Sequence, residues 1–577
     1  MQRLVGTLAR PRSKSGTMAV MLIVPHQVWP RHLTKLWPGQ LGSRLHRLAH
    51  HLTNHPAHRH HRHHRHNHHH LKTSLTALLI LLTAVGVFSH LTNPFARPNI
   101  VQTAVQVEFG DGQFLVHNSS QPTVHQGWLF RVLATVKAAW NIVSGRVIGG
   151  PKAQLGTVDE VIAQIHRLRF DPDQPFLISG DHFSSLYPRN LGIFYNATVD
   201  PRTALDRQDW HNRQLMYLKS LGYALQVFDQ ADQLSTTIIP IGRSSVVLAN
   251  YYAYPSDSLY GMLYAADKLL QPDELEEIYP FQADQPAVPQ TAAATARLLE
   301  AHRPALRRHF REYWQTVYDP GTGLVRTDKL LSGAKDIAKR QGAFYDNVVA
   351  WKTHQLAQRL DLTGPDQEFL DEYRQRILAR YWLTAAGHFA EDASQQALTE
   401  RWYSSDWLVA YLTGLLDPEQ PQDLRMLTST VEYIRRNAID QPFGLQYHPD
   451  QRRGRVYLPV LIGSPAYAST AIWSNWGMEY IKLLARLAQV TGDESYLAAA
   501  EKQLASYAFN IKRHRGYPEV YSAEGEFYRT PLYKSIRQTG WVVSFLQARE
   551  MVGWTREAWP GDFGRDVGAE PAVSAGG

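Results

Sequence analysis

The chain has 577 residues, of which 44% are hydrophobic and 11% aromatic, so it can bury a large core. It carries 60 Lys and Arg against 52 Asp and Glu, but residues 1–72 hold 12 of the cations and no acid, which leaves 48 cations against 52 acids elsewhere. The basic balance therefore belongs to a tail and does not indicate a nucleic-acid-binding domain. The absence of cysteine excludes disulfides, thiolate metal sites and a cysteine nucleophile.

Residues 1–70 predict a disordered, basic, His-rich tail. Arg, Pro, Gly, Gln and His dominate this stretch, and twelve histidines lie between His50 and His70. Because such a composition offers too little apolar surface to bury, we interpret the tail as a solvated tether. The same histidines would also suffice to bind divalent metal loosely.

Residues 71–93 predict a transmembrane signal-anchor. The nineteen residues Thr73–Leu91 span about 28 Å as a helix, close to the roughly 30 Å thickness of the hydrocarbon core. Cations flank the segment mainly on its N-terminal side, which predicts a single-pass protein of the cell membrane with a cytoplasmic N-terminus and an extracytoplasmic main domain. A cleaved signal peptide and a buried core helix are the alternatives. The flanking cations are Arg59, Arg62, Arg65 and Lys72 before the segment and Arg97 after it.

Residues 94–150 predict a linker that contains a short β-hairpin. Apolar and polar residues alternate in 101–109 and again in 113–117, and the turn sequence Gly110-Asp111-Gly112 separates the two runs. This is the pattern of two antiparallel strands joined by a tight turn.

Residues 151–554 predict a single large helical domain, and residues 555–577 a flexible end. From about Thr157 the apolar residues recur at helical spacing, as in the stripe Leu218, Leu221, Leu225 and Phe228. The sequence has no fixed repeat period, which disfavours a solenoid of identical units. The predicted helices therefore favour a helical barrel. The predicted helices are 207–230, 257–270, 294–317, 343–361, 366–383, 405–416, 422–437, 470–491, 494–508 and 534–552.

Five segments, in this order along the chain, resemble motifs of the glucoamylase-like glycoside hydrolases, the six-hairpin glycosidase superfamily. The resemblance implies a mainly α protein whose domain is an (α/α)6 toroid, and it implies hydrolysis of an α-linked glucan or oligosaccharide with inversion at the anomeric carbon. The segments are SLYPRNLGIFYNATVD (Ser185–Asp200), SVVLANYYAYPSDSLYGMLYAADKL (Ser245–Leu269), AKDIAKRQGAFYDNVVAWKTHQLAQRL (Ala334–Leu360), YSSDWLVAYLTGLLDPEQPQDLRMLTSTVEYIRR (Tyr403–Arg436) and GYPEVYSAEGEFYRTPLYKSIRQTGWVVSF (Gly516–Phe545).

Inverting hydrolysis needs one protonated carboxyl group and one carboxylate, usually about 6.5–9.5 Å apart. Glu519 matches the position of the family's general base and falls in a loop between two predicted helices, where functional residues concentrate. We therefore expect Glu519 to activate the water molecule. Glu524 and Glu526, in the same loop, are interpreted as surface residues.

The general acid has two candidates, because the sequence departs from the family at this point. Lys335-Asp336 stands where the family has Trp-Glu, and a neighbouring lysine would lower the pKa of Asp336, which disfavours a proton donor. Asp336 remains the first candidate and Asp346 the second. For Asp346 the alternative is a cap for a helix beginning at residue 347.

Further residues are candidates for binding the sugar. Arg189-Asn190 stands where the family has an Arg-Asp pair that holds the terminal sugar, and Asp181 could supply the missing carboxylate. The alternative for Arg189 is a buried arginine tied to backbone carbonyls. Asp257 and Asp406 would line the pocket or cap helices, and for Asp406 the cap is favoured. The remaining candidates are Tyr260 beside Asp257 and the aromatic platforms Tyr517 and Trp402.

Other classes of protein find little support in the sequence. It contains no phosphate-binding loop, no dinucleotide motif and no zinc-protease pair, so we expect no nucleotide chemistry, metal or cofactor, and the expected partners are a carbohydrate and the membrane. The main alternative is a non-catalytic envelope protein that binds a glycan through the same fold. Phosphorolysis would need a cluster of cations and hydroxyls, for which Lys534–Arg537 is the one candidate segment. The sequence leaves the sugar, the linkage and the oligomeric state open.

Overall fold

The computed structural model describes most of the helical domain. The predicted tail (1–70), the predicted anchor (71–93) and residues 558–577 lie outside the described residues, so those predictions stay predictions. Of the helices that are described, none combines the length and the apolar character needed to cross a membrane. The described residues are 105–110, 113–118, 123–125, 127, 129, 132–134, 136–137, 145, 151–171, 174, 176–180, 185–192, 200, 203–205, 207–241, 245–250, 253–271, 289–331, 335, 337–450 and 455–557.

The described chain is mainly α, as the sequence predicts, with short strands between the helices. The helices are α1 (Val158–Arg169), α2 (Arg207–Asp229), α3 (Ser258–Leu270), α4 (Pro289–Val317), α5 (Phe344–Arg359), α6 (Gln367–Tyr381), α7 (Gln395–Thr399), α8 (Val409–Leu412), α9 (Pro421–Arg436), α10 (Leu458–Gly463), α11 (Ser474–Thr491), α12 (Glu494–His514) and α13 (Val542–Glu557). Two 3-10 turns cover Pro188–Leu191 and Ser405–Leu408.

The strands form small sheets between the helices. The predicted hairpin is confirmed: β1 (Val105–Gly110) pairs antiparallel with β2 (Gln113–Asn118). A three-stranded sheet has β5 (Ser245–Ala249) between β3 (Thr123–Val124) and β4 (Thr237–Ile241). Three two-residue pairs complete the set: β6 (Tyr318–Asp319) with β7 (Leu324–Val325), β8 (Trp382–Leu383) with β9 (His388–Phe389), and β10 (Ile472–Trp473) with β11 (Val520–Tyr521).

Most predicted helices begin and end within a few residues of the observed bounds, but the last one is wrong at its start. Residues 534–541 are not helical, since Gln538 bridges to Tyr517 and Thr539 to Gly180, and α13 begins only at Val542. The helix then continues to Glu557, so the expected flexible end cannot begin at residue 555. Backbone pairing with a distant segment overrides the local helical pattern here.

The prediction of a linker with one hairpin for residues 94–150 is incomplete, because part of the second half of that segment is helical. Leu129, residues 132–134 and residues 136–137 are helical. The apolar residues there recur every three or four positions, which is the spacing of one helix face. Ala134 packs this segment onto the three-stranded sheet through Ile239 and Val247.

The most deeply buried helices lie side by side in a row that returns on itself. The row runs from α2 through α3, α5, the 405–412 segment and α11 to α13, and each member packs against the next. Gly540 N donates to Ser179 O, and the 177–180 segment is held on α2 because Leu177 N donates to Ser220 Oγ. The loops at one end of this row carry the candidate residues.

Candidate active site

Glu519 lies where β11 meets the start of an inner helix. The β10–β11 pair aligns Trp473 with Val520, so Ser474, the first residue of α11, reaches Glu519: Ser474 N donates to Glu519 O at 3.0 Å. On the other side Glu519 N donates to Ile536 O at 3.0 Å. The backbone of Glu519 is therefore fixed from both directions, although it belongs to the loop between α12 and α13.

The carboxylate of Glu519 is held by two phenols. Tyr533 Oη donates to Oε2 at 3.2 Å and Tyr467 Oη lies 3.5 Å from Oε1, while the residue is only 5% exposed. A phenol donor on each oxygen fixes the plane of the carboxylate. Such fixation is what a base must have to meet a water molecule in one orientation.

An aromatic wall surrounds this carboxylate. Tyr467 packs against Tyr533 at 5.2 Å and against Trp473 at 4.7 Å between ring centres. Trp473 in turn contacts Tyr447 at 5.3 Å and Trp541 at 6.2 Å. Flat aromatic faces of this kind bind the apolar faces of sugar rings. We call Tyr447, Tyr467, Trp473, Tyr528, Tyr533 and Trp541 the aromatic wall.

Tyr447 connects the aromatic wall to a buried ion pair. Its hydroxyl donates to Asp406 Oδ2 at 3.0 Å, and Arg340 Nη1 lies 2.5 Å from the same oxygen. Asp406 is therefore an ion-pair partner, and it lies inside the 405–408 turn, whose N-cap position is held by Ser404. The favoured interpretation of Asp406 as a helix cap is thus wrong.

Arg189 and Asp257 form a second buried pair. Arg189 Nε lies 3.4 Å from Asp257 Oδ1, and Tyr345 Oη donates to Asp257 Oδ2 at 3.3 Å. Asp257 occupies the N-cap position of α3 without a side-chain cap hydrogen bond, so its carboxylate serves Arg189 and Tyr345. Gly261 allows this approach, since a Cβ there would stand 2.1 Å from the carbonyl oxygen of Pro188.

Asp346 is buried beside these groups and is not a cap. Helix α5 begins at Phe344, which places Asp346 inside the first turn, and its Oδ1 accepts a hydrogen bond from Ser256 Oγ at 2.6 Å. Burial raises the pKa of the Asp346 carboxyl above its ordinary value, although Arg340 opposes the change. A raised pKa is the property that a general acid requires.

A buried charge cluster around Glu391 was not predicted from the sequence. Lys335 Nζ and His448 Nε2 lie 3.4 and 3.3 Å from Glu391 Oε1, and Arg455 Nη1 lies 3.8 Å from Oε2. Burial raises the pKa of Glu391, but the cations outweigh burial and hold it well below its usual range. Lys335 also lies 4.3 Å above the ring of Tyr447, which joins this cluster to the aromatic wall. The one local signal was the pair of adjacent acids Glu391-Asp392 shortly after β9.

The remaining candidates are placed as follows. Asn190 Nδ2 donates to Ser179 Oγ, and Trp402 stacks under Arg455 with its Nε1 donating to Glu400. Tyr260 and Tyr517 are buried in the core, where Tyr517 Oη donates to Ser474 O. Asp336 and Asp181 lie outside the described residues.

The described residues contain no cluster of three or more metal-ligating side chains. Two clefts of about 510 and 450 Å³ open elsewhere on the described surface, one beside His125 and Asn250 and the other between His388 and Arg436. The candidate site is described by its contacts: Glu519 lies within the aromatic wall, and Tyr447 joins that wall to Asp406 and, through Lys335, to Glu391. Asp257 and Asp346 are the other buried carboxylates among the candidates.

No family model and no curated protein matches the chain. Solved structures do match, and they include glycosidases. The chain is similar to a rhamnosidase from Klebsiella oxytoca with rhamnose bound (15% identity, TM-score 0.42), covering 70% of this chain but only 66% of the rhamnosidase. It is similar to the glucoamylase from Saccharomycopsis fibuligera (11% identity, TM-score 0.45; 70% of this chain, 97% of that one) and to a D-mannose isomerase (14%, 0.40; 69% and 97%). Likenesses this distant decide neither the reaction nor the substrate of this chain.

Proposed function

We propose that the chain is a glycoside hydrolase that acts with inversion on an α-linked glucan or oligosaccharide, within a helical ring that is an (α/α)6 toroid. The observation that carries the proposal is the Glu519 carboxylate, held by Tyr467 and Tyr533 inside an aromatic wall. In this mechanism Glu519 accepts a proton from water as the water oxygen bonds to the anomeric carbon. The glycosidic bond breaks, and an acid on the opposite side gives its proton to the departing oxygen.

Two residues remain candidates for the acid. Asp346 has the raised pKa that the role requires, because it is buried. For Asp336 the objection from its neighbour is weakened, since the Lys335 ammonium is engaged by Glu391 and lies over Tyr447. Arg189, oriented by Asp257, is proposed to donate hydrogen bonds to sugar hydroxyls.

A non-catalytic glycan-binding protein is the second candidate, and the deep burial of Asp346 favours it. Asp346 is 1% exposed and already hydrogen bonded to Ser256, so a sugar oxygen has no direct approach to it in this conformation. If Asp336 does not act as the acid either, the same aromatic wall would bind a glycan without cleaving it.

The site is proposed to act outside the cytoplasm, tethered to the cell membrane by residues 71–93. The support is the length of that apolar segment and the cations that precede it. Fractionation of cells that express the full chain, followed by protease treatment of intact cells, tests both the tether and its orientation.

One comparison separates the hydrolase from the binding protein. The full chain and Glu519→Gln are incubated with a panel of α-linked oligosaccharides, and released sugar is measured together with its anomeric form. We expect release of the inverted anomer by the native chain and a loss of about 10²–10⁴-fold in Glu519→Gln. Glu524→Gln, an exposed residue of the same loop, is the matched control and should keep its activity. Retention of glycan without any release by the native chain would overturn the hydrolase in favour of the binding protein.

A further inference from the structure

A cleft outside the candidate active site opens at the turn of the β8–β9 hairpin. The hairpin, the residues that follow α7 and the C-terminal end of α9 form its walls. Its volume of about 450 Å³ lies within the roughly 300–1,000 Å³ of ordinary small-molecule sites. We call it the hairpin cleft. The polar and aromatic side chains that line it include those of His388, Glu400, Arg401, Tyr433, Arg436 and Asn437.

Two arginines bring positive charge to the hairpin cleft. Arg401 and Arg436 are exposed, and neither guanidinium forms a hydrogen bond or an ion pair with another of the residues that the structure describes. By contrast, Arg340 and Arg455 beside the candidate active site are neutralised by carboxylates. Two guanidinium groups in one cleft attract an anion, and their planar forks match the two oxygens of a carboxylate.

Glu400 also lines the hairpin cleft, but its carboxylate is engaged. Trp402 Nε1 donates to its Oε2 at 2.8 Å, and Gln396 Nε2 donates to its Oε1 at 3.0 Å. The next residue, Arg401, has a φ of 55°, in the left-handed region that glycine adopts freely and other residues adopt at a cost in free energy. Strained backbone of this kind is concentrated at ligand-binding sites. A backbone position that favours glycine therefore carries a cationic side chain at the cleft.

An aromatic ring and an amide complete the lining of the hairpin cleft. The buried His388 ring packs on Tyr433 with 4.1 Å between ring centres. Asn437 Nδ2 donates to Tyr433 O at 2.8 Å, which leaves the side-chain oxygen of Asn437 to accept a hydrogen bond from a hydroxyl. Aromatic rings pack against the apolar faces of sugars, and amide and guanidinium groups bind their polar substituents. The lining therefore suits a sugar that carries a negative charge.

We infer that the hairpin cleft is a second glycan-binding site, and that it takes a sugar bearing a carboxylate, a uronic acid. Arg401 and Arg436 bind the carboxylate, and Tyr433 packs against the sugar ring. A phosphate suits the cleft less well, because Arg436 and Asn437 lie at the C-terminal end of α9, where the helix dipole disfavours a second negative charge. The choice of a sugar rests on the proposed function, whereas the binding of an anion does not.

The hairpin cleft adjoins the buried charge cluster but is separate from Glu519. Trp402 stacks under Arg455, and Tyr403 O accepts a hydrogen bond from His448 Nδ1 at 2.6 Å, so both residues contact the charge cluster. The two residues that precede them in the chain line the cleft instead. Replacement of Glu519 should therefore leave binding at the hairpin cleft intact.

The test measures binding to the full chain carrying Glu519→Gln, so that hydrolysis does not interfere. The probes are an α-linked tetramer of galacturonic acid and the neutral tetramer maltotetraose, and the method is isothermal titration calorimetry. We expect Arg401→Gly and Arg436→Gln each to weaken binding of the galacturonate tetramer by about tenfold or more and to leave binding of maltotetraose unchanged. Arg401→Gly should keep the fold intact, because glycine adopts this φ freely, and thermal unfolding checks this.

Arg425→Gln is the matched control. Arg425 is an exposed arginine of the same helix, about three turns before Arg436, and its replacement should leave the affinity for the galacturonate tetramer unchanged. Galacturonate binding that is absent, or that survives both arginine variants, would overturn the inference even if the native chain hydrolyses an oligosaccharide. Displacement of the tetramer by an equal concentration of inorganic phosphate would also overturn it, in favour of a phosphate site. Binding that needs both arginines, in a chain that hydrolyses nothing, would support the hairpin cleft while the proposed hydrolase fails.

Discussion

Arg340 and Asp406 form an ion pair that is almost completely shielded from solvent, with Nη1 of the arginine 2.5 Å from Oδ2 of the aspartate. The pair joins the 405–408 turn to the loop before α5, and Tyr447 adds a hydrogen bond to the same carboxylate oxygen. Removing one partner leaves the other charge buried and uncompensated, which costs more than the loss of an exposed pair.

We therefore expect Asp406→Asn to lower the free energy of unfolding by about 3–5 kcal/mol, measured by urea unfolding. Glu372→Gln is the control, since its pair with Arg376 is about half exposed and should be worth less than about 1 kcal/mol. Similar losses in the two variants would show that burial of the Arg340–Asp406 pair does not govern its energy.

Glu391 should make the domain sensitive to acid. Its pKa in the folded chain lies well below the ordinary value of 4.5, so the stabilisation it provides is fully present above about pH 4.5 and is lost as the pH falls through the lower, folded-state pKa. In Glu391→Gln we expect a lower free energy of unfolding at pH 7 and a flatter fall below pH 4.5. An unchanged slope in that acidic range would remove Glu391 as its source.

Asp346 should make the domain less stable as the pH rises, whereas Glu391 makes it less stable as the pH falls. Burial raises the pKa of Asp346 in the folded state. Below its unfolded-state pKa of 3.8 the carboxyl is protonated in both the folded and the unfolded state, so its effect on stability is small there. Stability is lost as the pH rises from 3.8 through the folded-state pKa. Asp346→Asn should therefore gain stability relative to the native chain as the pH is raised from 4 to 8, measured by thermal unfolding at each pH. A constant difference across that range would contradict a raised pKa.

The same variant also tests the catalytic role of Asp346. If Asp346 is the acid, Asp346→Asn should lose activity on oligosaccharides but recover it on an aryl glycoside with a good leaving group, because that group departs without protonation. Asp336→Asn, assayed in parallel, should then show no such recovery. Rescue of Asp336→Asn alone would assign the acid to Asp336.

The hydroxyl groups of Tyr467 and Tyr533, which hold the Glu519 carboxylate, should contribute to activity. Tyr533→Phe removes a hydrogen bond to a buried carboxylate, worth about 1.5–3 kcal/mol, and should lower kcat/KM by roughly 10–100-fold. Tyr528→Phe is the control within the aromatic wall, since its hydroxyl accepts a hydrogen bond from Ala466 N. Equal losses in the two variants would point to the wall as a whole rather than to the contact with Glu519.

Gly261 should be intolerant of any side chain. Its Cβ would stand 2.1 Å from Pro188 O, so Gly261→Ala must push away the turn that carries Arg189, at a cost of about 1–3 kcal/mol. Gly553 lies in α13 with no neighbour within 4 Å of such a Cβ, and Gly553→Ala should stabilise the chain by about 0.5–1 kcal/mol. Thermal unfolding of both variants checks the contrast; a stabilised Gly261→Ala would show that the close approach is not rigid.

The local sequence pattern predicted most of the helices and the loop that carries Glu519, because helical periodicity depends only on residues that are close together in the chain. The charge cluster was missed because it depends on distant parts of the chain: Lys335 meets His448, which lies 113 residues further on. Asp406 was misinterpreted for the same reason, since a Ser-Ser-Asp sequence is typical of a cap and gives no sign of Arg340. The helical residues between 129 and 137 were not predicted, although their apolar side chains have helical spacing.

The backbone hydrogen bonds that join residues 179–180 to residues 539–540 have a consequence for synthesis. About 360 residues must leave the ribosome after Gly180 before its partner exists, which takes roughly 20–70 s at about 5–20 residues per second. Throughout that interval α2 and α3 stand without the last neighbour of their row. We therefore expect the nascent polypeptide to need chaperones that shield unfinished domains, and we expect a truncation before residue 540 to leave the row of helices open.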